Sequence, residues 1–133
     1  MARPVRRGCD CGSAGAAARA RAEVRGFVDE ALATGHGLPA DAQDAVLLVV
    51  SELVTNAVRH TPGPCNLEMA WAGDGIDIDV TDTSPEPPRL RPQDPAGSGD
   101  GYGWRLVNRL ASDVDVRPTR EGGKTVHVHV PGT

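Results

Sequence analysis

The sequence predicts an α+β chain: a two-layer sandwich with a mostly antiparallel sheet and its helices on one face. Three observations lead there. Residues 16 to about 60 carry apolar positions at helical spacing, the period then drops from 3.6 to 2, and glycine-rich turns punctuate everything after that. The chain has 133 residues, enough for one domain with a modest core. Only 3% of its residues are aromatic, so Val, Leu, Ile and Ala must build that core.

Residues 1–15 are Arg, Gly, Ala, Cys and Ser without a period, and read as a poorly ordered arm preceding one domain, residues 16–133. A first helix is expected over Ala16–Ala33, with Ala20, Val24, Phe27, Val28, Ala31 and Leu32 as its apolar stripe and Gly35 and Gly37 ending it. A second starts near Asp41, after Pro39, carries Val46, Val49, Val50, Leu53, Val54, Ala57 and Val58, and closes at Pro62-Gly63-Pro64. Leu67, Met69 and Trp71, a turn at Gly73-Asp74, then Ile76, Ile78 and Val80 read as a hairpin with one buried face. Residues 83–103 are a Pro-, Gly- and Asp-rich loop, longer than ordinary connections and therefore suspected of function. A third helix follows over about Gly103–Ala111, and two strands around Val114, Val116 and Val126, Val128, Val130 meet at a Gly122-Gly123 turn.

Asp and Glu total 18 against 14 Lys and Arg, a balance that argues against nucleic acid as a direct partner. No stretch approaches the roughly 18 to 20 apolar residues of a membrane span. The Arg6-Arg7 pair has no apolar run behind it, so the reading expects no secretory signal, no membrane partner and a cytoplasmic protein. Three cysteines, two of them in Cys9-Asp10-Cys11, do not form a disulfide framework, and free thiols in a reducing compartment are expected.

Three segments carry chemistry. In "SELVTNAVRH" Glu52, Asn56 and His60 recur every four residues along one helix edge, beside the apolar stripe. Alone, that pattern also fits a solvated edge. "VTDTSPEPP" puts Asp82 where a half-buried strand runs into the long loop, suited either to a ligand's amino group or to a Ser-Pro turn. "GSGDGYGWRLV" sets Gly97, Gly99, Gly101 and Gly103 before a helix, where backbone N–H groups can approach phosphates. It is neither a Walker A loop nor a dinucleotide fingerprint. His127 and His129, like Asp77 and Asp79, alternate with buried valines or isoleucines and belong on the exposed strand face. Arg19, Arg21 and Arg25 read as a solvated helix face, one that could also meet an acidic partner.

Taken in order, "ELVTNAVRH", "DTSPEPP", "GDGYGWRLV" and "GGKTV" resemble the four nucleotide-binding boxes of the superfamily of gyrase, histidine kinases and mismatch-repair ATPases (GHKL, with the Bergerat ATP-binding fold). Their form is most similar to the stand-alone anti-sigma factor serine kinases, over about residues 16–131. The resemblance implies that ATP and Mg²⁺ are cofactors, with Asn56 coordinating the ion and Glu52 taking a proton from the attacking serine. Asp82 would accept the adenine amino hydrogen, Gly99, Gly101 and Gly103 would line the phosphates, and Thr125 would support the adenine pocket. The implied partners are an anti-sigma factor antagonist of the STAS type, a sigma factor, and a second copy of the chain in a homodimer. The implied activity is protein serine/threonine kinase; the alternative is a non-catalytic ATP-binding module that binds a partner protein. His60 reads as a helix-end residue, and Trp104 stands where relatives more often carry an aliphatic side chain.

Overall fold

A computed structural model describes residues 6–10, 15–60, 64–85 and 102–132. Its elements run β1 (Arg6–Asp10), α1 (Ala16–Ala33), α2 (Ala40–His60), β2 (Asn66–Ala72), β3 (Gly75–Asp82), α3 (Tyr102–Leu110), β4 (Asp113–Pro118) and β5 (Lys124–Pro131). The strands form one sheet in the order β1-β2-β3-β5-β4, with every neighbouring pair antiparallel. This is the α+β architecture that the change of period predicts.

α1 keeps its expected bounds because its end is chemically marked. Gly35 takes φ +90°, a conformation open to glycine at little steric cost. There the N–H of Gly35 donates to the Leu32 carbonyl at 3.1 Å and that of His36 to the Ala31 carbonyl at 2.7 Å. Together they satisfy carbonyls that the helix leaves without partners. Ala20, Val24, Phe27 and Ala31 are buried, but Leu32 is 67% exposed, so the stripe is narrower than the sequence suggests. Val58 on α2 is likewise exposed, whereas Val46, Val49, Val50, Leu53, Val54 and Ala57 are buried.

These helical faces pack on the alternate strand residues Leu67, Met69, Ile76, Ile78, Val80, Val126, Val128 and Val130, and Val107 of α3 joins them. Each fully buried aliphatic side chain stabilises the fold by about 1.5–3 kcal/mol. Strand periodicity then fixes the rest. The intervening residues Asp77, Asp79 and Thr81 of β3, and Thr125, His127 and His129 of β5, occupy the face of the sheet away from that core.

Two expectations are corrected. Residues 6–10 of the expected arm form β1, antiparallel to β2 with Gly8 opposite Glu68. An edge strand gains its hydrogen bonds from backbone alone and needs no apolar alternation, and at Gly8 a Cβ would stand 2.8 Å from the Leu67 carbonyl oxygen. Cys65, expected as a free thiol, is disulfide-bonded and 3% exposed, its partner lying outside the described residues; Cys9 is not part of a disulfide. Pairing of β1 with β2 sets Cys9 opposite Leu67, near the start of β2, a proximity that sequence spacing hides. No helix among the described residues is long and apolar enough to cross a membrane.

Candidate functional site

α2 lies across β3 and β5 and against α3. Glu52 and Asn56 sit one turn apart on it, each half-buried next to a fully covered neighbour, Leu53 and Ala57 respectively. Among the described residues, nothing pairs with either side chain. A half-buried carboxylate and amide without partners are polar groups able to take up a ligand. His60 is the last residue of α2, and its side chain lies outside what is described.

Asp82 ends β3 on the helix-facing side of the sheet, the side of Ile76, Ile78 and Val80, and is 5% exposed. Its register partner on β5 is Lys124, equally buried on the same side as Val126, Val128 and Val130. The Lys124 Nζ donates to Asp82 Oδ1 at 3.0 Å and Oδ2 at 2.9 Å, and reaches the Ser84 carbonyl oxygen at 3.4 Å. The Ser84 N–H donates to Asp82 Oδ1 at 2.9 Å, an Asx turn, so the turn-forming reading of Asp82 also holds. The strands approach closely here because position 123 is glycine: a Cβ there would collide with the Asp82 carbonyl oxygen.

Thr125, expected to support the adenine pocket, lies on the opposite face, its hydroxyl hydrogen-bonded to that of Thr81 at 2.8 Å. Sequence reasoning missed Lys124. The signal was present, since a residue two before Val126 on a strand shares its face. Gly103 falls in the first turn of α3, where helix N–H groups lack intrahelical partners. Gly99 and Gly101 lie outside the described residues.

On the open face, the register sets His127 opposite Asp79 and His129 opposite Asp77. Their Nδ1 atoms lie 2.7 Å from those carboxylates, and His129 Nε2 lies 2.9 Å from Asp74. Burial alone would lower the pKa of His129, but hydrogen bonds to Asp77 and Asp74 outweigh it and hold the imidazolium above the usual histidine value. Asp74 is shifted below its ordinary value, chiefly by the same hydrogen bond. This ladder is separated from Asp82 by the thickness of the sheet.

The crystal structure of the RsbU and RsbW domains of Rv1364c from Mycobacterium tuberculosis has the same fold, with a TM-score of 0.65 and 21% identity. That match covers 98% of this chain, which spans 32% of the other. No curated protein matches. The model of the histidine kinase-like ATPase domain, however, matches residues 14–129, a span that contains α1 to α3, β2 to β4 and most of β5, and such a domain implies ATP binding. By that match, the chain belongs to the histidine kinase-like ATPase domain family.

Proposed function

We propose that this chain is an ATP- and Mg²⁺-dependent protein serine kinase of the anti-sigma factor type, phosphorylating an anti-sigma factor antagonist and sequestering a sigma factor. The observation that carries the reading is the half-buried pair Glu52 and Asn56 on one edge of α2, without partners among the described residues. The likeness of the four boxes to anti-sigma factor serine kinases supports the partner class.

In the transfer, a serine oxygen bonds to the γ-phosphorus as the bond to the β,γ-bridging oxygen breaks, and ADP leaves with that electron pair. Glu52 receives the serine proton. Positioning and charge neutralisation supply most of the catalysis in such a reaction. Asp82, with acceptor capacity left on Oδ2, would take the adenine amino hydrogen. The amide oxygen of Asn56 is a hard donor that fits Mg²⁺. Phosphates and water would supply further oxygens. Bound there, the ion would neutralise phosphate charge.

The test is Glu52→Gln with labelled ATP and candidate antagonists. Transfer should fall by about 10² to 10⁴, the usual worth of a positioned proton acceptor, with ATP affinity within a few-fold of the wild type. A wild type that binds ATP but labels none of its verified partners would make the chain a nucleotide-dependent binding module instead.

A further inference from the structure

Lys124 belongs to none of the roles assigned so far, although a buried lysine is rare unless paired. Its ammonium is spent on Asp82: two of its three hydrogens go to the two carboxylate oxygens, and the third faces the Ser84 carbonyl oxygen. A carboxylate has about four lone-pair sites. Lys124 fills one on each oxygen and the Ser84 N–H fills another on Oδ1, which leaves a single acceptor site, on Oδ2. The pair therefore does more than neutralise a charge. It holds the carboxylate plane fixed and reduces Asp82 to one acceptor of defined direction.

We propose that Lys124 is the positioning residue of the base pocket, orienting Asp82 so that its one free acceptor selects a purine bearing an amino group over one bearing a carbonyl oxygen. This rests on the reading of Asp82 as the adenine contact. Thr125 cannot fill that place, because its hydroxyl is on the other face of the sheet and bonded to Thr81. Lys124 occupies the position of β5 directly across from Asp82. Without the ammonium, the buried carboxylate would keep only the Ser84 hydrogen bond. It would then either turn toward water or take up a proton, and a neutral carboxyl group can donate to a carbonyl oxygen. Both results blur the distinction between the two purines.

The experiment measures ATP and ITP affinity for wild type, Lys124→Met, Lys124→Arg and Asp82→Asn. ITP differs from ATP in carrying a carbonyl oxygen in place of the amino group. The wild type should prefer ATP, and both Lys124→Met and Asp82→Asn should lower the ATP/ITP ratio by about tenfold or more, as expected when a buried polar contact is mismatched. Lys124→Arg, which restores the cation, should recover most of the ratio. If Lys124→Met does not fold, Lys124→Gln keeps an N–H donor without the charge and should still lower the ratio. A purely structural lysine would weaken both nucleotides equally. An unchanged ratio in the folded neutral variant, together with a collapsed one in Asp82→Asn, overturns the role of Lys124 and leaves the Asp82 reading standing. An unchanged ratio in Asp82→Asn removes both.

Discussion

Replacing Lys124 by Met should be among the most destabilising single changes in this protein, and the geometry sets its size. Lys124 and Asp82 side chains are only 6% and 3% exposed, with the ammonium 2.9 Å from Oδ2. An exposed pair of this kind would contribute about 0–1 kcal/mol. Buried, it behaves differently: removing one partner strands the other charge and costs about 3–5 kcal/mol, while replacing both is near neutral or stabilising. At an unfolding entropy of about 2.1 cal/mol/K per residue, 133 residues translate that cost into roughly 11 to 18 °C of melting temperature. The assay is a double-mutant cycle by urea unfolding without nucleotide, with Lys124→Met, Asp82→Asn and the double variant. Single replacements should be costly and the double variant should regain most of the loss. A Lys124→Met protein within about 1 kcal/mol of the wild type, the upper limit for an exposed pair, would refute the buried pair, as would a double variant no more stable than either single one.

The His129 bridge predicts a pH dependence of fixed sign. Its folded pKa is raised, so its contribution is complete below the ordinary histidine value and is lost as pH rises through the folded value. Asp74 works in the other direction, its contribution present above the ordinary aspartate value and lost as acid titrates it. Asp113 also stands opposite His129 across β4. The stability difference between wild type and His129→Asn, followed by urea unfolding, should shrink on going from mildly acidic to alkaline pH. A difference that grows would contradict the bridge. In the core, Phe27→Ala should cost about 3–5 kcal/mol, because Phe27 is fully buried, whereas Leu32→Ala should change stability little at 67% exposure; similar losses by denaturant titration would contradict the packing of α1.

The helices and the central hairpin were legible because burial there follows a period. Val46, Val50, Leu53 and Ala57 mark one face of α2, and Ile76, Ile78 and Val80 one face of β3. β1 was not legible, since Arg6–Asp10 pairs through its backbone and offers no apolar alternation. Roles that depend on register were harder still. A shift of one residue sends a strand side chain to the other face of the sheet, and this separates Lys124, beside Asp82, from Thr125, beside Thr81. The Asp77, Asp79, His127 and His129 ladder needs the same register between strands some 50 positions apart in sequence, so each of the four read as a lone outward residue. Along α2, by contrast, the spacing of Glu52 and Asn56 is set by the helix itself, and the sequence displayed it directly.

In the proposed function, the polar edge of α2 holds nucleotide through a cation at Asn56. Calorimetric titration of ATP into wild type and Asn56→Ala, each with and without Mg²⁺, tests it most directly. The wild type should bind ATP more tightly with Mg²⁺, and Asn56→Ala should lose that gain while keeping its metal-free affinity. Equal losses under both conditions, or a wild type that does not bind ATP, would contradict the account.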